Sequence, residues 1–145
     1  MNSWIYQGIE FTHELAQEKI AEGFIGFIYE ITDSSNGMKY IGKKLLLSKR
    51  KLQPLKGQKR KRIKLAESDW ISYHGSSEIV KEQVELRHAD FHREILEFAK
   101  TKGVLNYIEM KHQIFKEVLL RRSEYYNGII AGKINASHLK DLWIN

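Results

Sequence analysis

Between Phe24 and Thr32 the chain alternates, but not between apolar and polar residues. Ile25, Phe27, Tyr29 and Ile31 fall on one face of a strand, and Gly26 and Ile28 on the other. Apolar residues on both faces predict a central strand covered on both sides. Asp33 to Gly37 follows as a turn, with Asn36-Gly37 a strong hairpin signal, and Met38 to Gly42 is the partner strand. Upstream, Thr12 to Glu22 reads as a short helix with Thr12 as its cap. Downstream, Thr101 to Arg122 is the clearest helical pattern. Leu105, Ile108, His112, Phe115 and Leu119 recur there at three- and four-residue steps, and Arg121 and Arg122 complement the dipole at its end. A helix from about Glu78 to Leu86 would be capped by Ser76 or Ser77, and Ser137 to Trp143 is expected to form a short terminal one. Phe91 to Phe98 is ambiguous: Phe91, Ile95 and Phe98 share a helical face, and strand alternation is poorer. Trp70 and Tyr73, within Glu67 to His74, predict a return of the chain to the core.

Charge changes this picture more than composition does. With 145 residues, 42% of them hydrophobic, the chain is expected to be one domain, residues 1–145, with a core of its own. The absence of cysteine excludes disulfides, thiolate nucleophiles and zinc–thiolate sites, and a reducing cytoplasm is the expected location. Met1 to Glu10 has no basic start followed by an apolar run, so no secretory signal is expected, and no membrane partner either. The net charge of +6 is unevenly spread: Ser34 to Ala66 holds 12 lysines and arginines and no carboxylate, so the rest of the chain is acidic. Nine of those cations lie in the sixteen residues from Lys49 to Lys64. A localised positive field of this kind attracts phosphate backbones. Pro54 and Gly57 argue against one continuous helix there, and residues 49–66 read as a mobile insertion after the hairpin.

The strings Phe27-Ile28-Tyr29 and Tyr40-Ile41-Gly42 resemble the two halves of the motif that defines GIY-YIG nucleases. Lys43 follows the second glycine, Arg50 lies eight residues beyond it where the family has an arginine on a helix, Glu109 lies on the long predicted helix, and Asn127 follows Tyr125-Tyr126. These elements occur in family order within residues 24–128. Glu67-Ser68-Asp69-Trp70 and Tyr73-His74-Gly75-Ser76-Ser77 are also similar to small stand-alone members carried by tailed bacteriophages. Two positions depart from the pattern. Phe27 stands in the slot of the first glycine, with Gly26 one residue earlier, and Pro54 stands where some members have a histidine or tyrosine. Tyr73 or His74 could enter the site in its place. The resemblance implies a small α/β (α+β) domain with a three-stranded, mostly antiparallel sheet flanked by helices, its third strand near Phe91 to Phe98.

The resemblance also implies roles. Phosphodiester hydrolysis needs an activated water, neutralised phosphate oxygens and a stabilised leaving oxygen. Glu109 would be the protein ligand of Mg²⁺, or of Mn²⁺ as a substitute, since magnesium keeps most of its water. Arg50 would set a forked cation on the scissile phosphate, although Arg60 or Arg62 could serve if the basic segment folds back. Tyr29, with Tyr40, would orient or deprotonate the attacking water, with Lys43 and Lys44 as candidates to lower the phenol pKa. Asn127 would hold the tyrosine or the backbone around the metal. His112 lies three residues after Glu109, but its place in the apolar stripe makes it a semi-buried histidine rather than a second ligand.

Lys44, Lys49, Lys51, Lys56, Lys59, Arg60, Lys61, Arg62 and Lys64 are the candidates for DNA contact, with duplex DNA as the expected partner. Target choice would then come from the basic insertion, from a homodimer or from a recruiting protein. Two readings compete with a metal-dependent endonuclease, of homing or host-DNA-directed type: a nucleic-acid-binding protein that keeps the fold without catalysis, and an interaction protein whose basic loop meets RNA or an acidic surface.

Overall fold

The apolar strand and its partner form the hairpin that their pattern predicts, and the hairpin sits inside a larger sheet. The structure is a computed structural model that describes residues 2–130, 132 and 136–144. In chain order its elements are β1 (Trp4–Tyr6), β2 (Ile9–Glu10), α1 (His13–Ala21), β3 (Gly26–Asp33), β4 (Lys39–Leu45), β5 (Leu47–Leu52), β6 (Arg62–Glu67), α2 (Glu78–Arg87), β7 (Phe91–Ala99) and α3 (Lys102–Phe115). Short 3₁₀ turns cover His88–Asp90 and Ala136–Leu142. The main sheet runs β2-β1-β7-β3-β4, and β5 with β6 forms a separate two-stranded ribbon. Its antiparallel centre, β7-β3-β4, is the expected three-stranded sheet. An N-terminal hairpin that the sequence pattern did not show extends it, with β1 parallel to β7.

Both faces of β3 are covered. On one face Phe27, Tyr29 and Ile31 pack with Trp4, Phe11, Trp70, Phe91, Ile95 and Phe98, beneath α1, α2 and the loop after β6. On the other, Ile28 packs with Ile41, Val104, Leu105 and Ile108 beneath α3. Asp33 starts the turn of the hairpin, and Gly37 takes the positive φ of 75° that ends it. The Asp33 carboxylate is fully buried. It accepts hydrogen bonds from Arg87 Nη2 at 2.8 Å, from the Tyr126 hydroxyl at 2.8 Å and from Ser35 N at 3.0 Å. The turn is thereby tied to α2 and to the C-terminal segment.

Phe91 to Phe98 is a strand, and a bulge explains its helical look. Tyr29 pairs with Ile95 but Ile28 pairs with Glu97, so Leu96 is an extra residue in β7. The extra residue returns Phe98 to the face of Phe91 and Ile95, three residues after Ile95 rather than two or four.

α3 is shorter than its periodicity predicts. It ends at Phe115 rather than Arg122, because Glu117 turns into the left-handed region at φ 54°. Val118 N then donates to Gln113 O and Glu117 N to Ile114 O, a Schellman stop without the usual glycine. Phe115, at 86% exposure, and Leu119, at 37%, accordingly lie outside the buried stripe. The basic segment forms an antiparallel ribbon, so Arg50 stands on β5 rather than on a helix. Among the described residues no helix is long and apolar enough to cross a membrane.

Candidate active site

The register of the hairpin sets Tyr29 directly opposite Gly42 and Tyr40 opposite Ile31. The Tyr29 phenol lies over Gly42 so closely that a Cβ there would come within 2.7 Å of Tyr29 Cζ. The glycine that ends the second string is therefore a steric requirement of the tyrosine in the first. Gly75, at φ 95°, brings a second stretch of backbone to the same phenol, where even a Cβ would stand 3.5 Å from its oxygen. The Tyr29 and Tyr40 rings are 6.3 Å apart. The Tyr40 hydroxyl is 3.1 Å from Ser76 Oγ, and the Tyr29 hydroxyl points at that of Tyr73 across 3.5 Å, long for a hydrogen bond.

Burial dominates the chemistry of these phenols. The pKa of Tyr29 is pushed well above its ordinary value by desolvation first, then by Tyr73, Tyr40 and Glu109. Tyr40 moves the same way, by burial first. Lys43 and Lys44 do not reverse this: the free protein holds both phenols neutral.

Glu109 lies on α3, one turn past Asn106. Its carboxylate is mostly covered, and burial raises its pKa while Lys43 opposes the shift. Lys43 Nζ stands 3.8 Å from Glu109 Oε1 and donates a short hydrogen bond to Asn106 Oδ1. Glu109 is also close enough to Tyr29 and Tyr40 to act on their ionisation. Asn127 is buried and faces the backbone of β4. Its Oδ1 accepts from Ile41 N at 3.0 Å and its Nδ2 donates to Ile41 O at 2.8 Å. Gln113 Nε2 donates to the same carbonyl at 3.0 Å. Asn127 thus acts as a side-chain substitute for a neighbouring strand, fixing the residue between Tyr40 and Gly42.

A cavity of about 650 Å³ opens beside this group. Lys43, Tyr73, Asn106, Lys102 and Arg50 line it, so Arg50 faces the same open space as Lys43. Lys44 lines it as well but is spent on local contacts: it pairs with Asp69 and lies 4.2 Å over the Tyr73 ring. Lys49, Arg50, Lys51, Lys56, Lys59, Arg60, Lys61, Arg62 and Lys64 are all exposed on the ribbon. Phe27 enters the aromatic core, its ring 5.1 Å from that of Trp4 and 6.4 Å from that of Tyr29.

Tyr73 reaches the site and His74 does not. His74 is buried against His88, its Nδ1 2.8 Å from Ser72 O, and burial lowers its pKa to about 4. His112 pairs with Glu97 at 3.0 Å. Arg93 is the residue that the sequence did not single out. Fully buried, it donates to the carbonyls of Ile71 and Tyr73, both at 2.8 Å, and to that of Asn2, and so fixes the loop that carries Tyr73. Its setting in a polar-looking stretch, His92-Arg93-Glu94, gives no sign of burial. Among the described residues no group of three or more histidine or carboxylate side chains is placed around one point as a metal cluster.

Residues 4–130 match the family model described as "Putative endonuclease segE, GIY-YIG domain". No curated protein and no solved structure gives a match. With that match over most of its length, and with both tyrosine strings paired across the central hairpin, the chain belongs to the GIY-YIG endonuclease family of the segE type.

Proposed function

We propose that this protein is a magnesium-dependent endonuclease that cuts duplex DNA, encoded by a phage and working in the cytoplasm of the host. The observation that carries this reading is the meeting of two neutral phenols and one mostly buried carboxylate behind Lys43 and Tyr73, which line a cavity shared with Arg50, Lys44 and Lys102. The donor set suits a hard cation that keeps its water: Glu109 offers carboxylate oxygen whose ion pair with Lys43 is a loose 3.8 Å. Magnesium, or manganese in its place, supplies a Lewis acid that neutralises charge on the leaving oxygen.

The remaining work falls to side chains. Tyr29, held neutral, orients the attacking water through its hydroxyl rather than taking its proton in the free protein. Ser76 keeps Tyr40 in place beside it. Lys43 can exchange its contact with Glu109 for a phosphate oxygen, and Arg50 offers a forked cation from the cavity wall. Asn127 fixes the strand that bears Tyr40, Gly42 and Lys43.

The same geometry supports a second reading, a DNA-binding protein without catalysis, because Lys43 already sits on Glu109 and both phenols are harder to ionise than usual. Plasmid nicking with magnesium divides the two. Wild type is expected to nick, and Glu109→Ala to bind DNA without nicking it. Equal cutting by both would remove Glu109 from the metal site. Binding without cutting under any divalent cation would establish the second reading.

A further inference from the structure

Among the described residues, no carboxylate lies within ion-pair distance of any lysine or arginine from Lys49 to Lys64. The strand register sorts these cations into two sets. Arg50 stands opposite Lys64, and Leu52 opposite Arg62, whereas Lys49 stands opposite Leu65 and Lys51 opposite Ile63. Side chains alternate along a strand and directly paired residues share a face. Arg50, Arg62 and Lys64 therefore lie on one face with Ser48, and Lys49, Lys51, Ile63 and Leu65 on the other.

Of the ribbon's cations Arg50 alone lines the cavity, with Ser48 of the same face beside Lys43 and Tyr73, whereas the opposite face reaches it through the acidic Glu67. The first face also places two like charges, Arg50 and Lys64, directly across from each other. Such a pair is unfavourable by itself and becomes favourable when an anion lies against both. Arg62 is held only by long, 3.4 Å contacts to the Gln53 carbonyl, so its guanidinium remains free to turn to a phosphate. The opposite face exposes Ile63 by 64% and Leu65 by 56%, a surface ill suited to a phosphate backbone.

We propose that the face of the ribbon bearing Arg50, Arg62 and Lys64 is a phosphate track that leads the backbone of duplex DNA into the cavity, and that the Lys49–Lys51 face stays off the DNA. This inference rests on the endonuclease reading, because it takes duplex DNA as the ligand. A two-stranded ribbon is narrow enough to follow a groove while one of its faces meets the phosphates.

Two charge-matched double variants of the full chain test it: Arg62→Gln with Lys64→Gln, and Lys49→Gln with Lys51→Gln. Binding of a fluorescent duplex is measured against salt in the presence of a chelator, so that no cutting intervenes. Each phosphate contact contributes about 0.9 to the slope of log affinity against log salt. The Arg62/Lys64 pair is expected to make that slope shallower by about 2, and the Lys49/Lys51 pair by less than about 0.5. Equal slopes for the two pairs overturn the face assignment. Wild-type nicking with magnesium, run alongside, separates the failures: nicking with equal slopes sinks this inference alone, and a wild type that neither binds nor nicks sinks the endonuclease reading with it.

Discussion

Two hairpins lie next to each other in this chain and are built on opposite principles. In β3–β4 nearly every side chain of β3 is buried, and the turn carboxylate of Asp33 is fully enclosed. In β5–β6 most side chains are exposed, and among the described residues its lysines and arginines have no acidic partner. The first hairpin places oxygens with little freedom, as a reacting centre requires. The second presents charge that can adapt to a long polyanion. Position is fixed where chemistry would happen and left adjustable where the substrate would be gathered.

The largest effect is expected at the tightest point of the first hairpin. Gly42→Ala would force a methyl group against the Tyr29 ring and should cost about 1–3 kcal/mol of stability, as overpacking does. Nicking should fall further than stability, since the phenol must move. Chemical denaturation and a nicking assay on the same preparation check this. Wild-type values in both would show that the seat of Tyr29 is loose, and the contrast between the hairpins would weaken.

A smaller, pH-dependent effect is expected at the turn. Hydrogen bonds from Arg87 first, then from Ser35 and Tyr126, hold the Asp33 carboxyl well below the usual carboxylate range. Its folded pKa lies below its unfolded one, so the stability it gives is complete above about pH 4 and is lost as pH falls below that. Asp33→Asn should therefore be less stable than wild type at neutral pH, with the gap closing in acid. Melting curves across that range are the check, and a gap independent of pH would assign the effect to packing instead.

The smallest effect is expected at the turn of the ribbon. Replacing Lys59, Arg60 and Lys61 together by alanine should change stability by no more than about 0.5 kcal/mol, because these side chains are exposed and carry no packing. A loss above about 1 kcal/mol in urea unfolding would mean that the ribbon shares the cooperative core, and the two hairpins would no longer differ in kind.

Much of this was legible before folding. The Thr12 cap, the double-faced apolar strand, the turn at Gly37 and the cationic segment follow from local rules, and the structure has them. Other elements misled for identifiable reasons. Phe91, Ile95 and Phe98 looked helical because the bulge at Leu96 breaks the two-residue period. α3 looked longer because its stop uses Glu117, not glycine, in the left-handed position. Arg93 was invisible because a charged residue is buried only when carbonyls from distant segments converge on it, here those of Asn2, Ile71 and Tyr73.

By itself, the sequence determined the order of the tyrosines, lysine, glutamate and asparagine, and the segregation of charge into one segment. Those are properties of composition and spacing, which local geometry preserves. The tertiary structure alone decided that both phenols are harder to ionise than an ordinary tyrosine, that Asn127 serves the backbone of Ile41, and that the basic run divides into two faces, with Arg50 of one of them on the cavity. Desolvation, buried hydrogen bonds and cross-strand register all depend on which distant segments meet, and no local pattern along the chain encodes that.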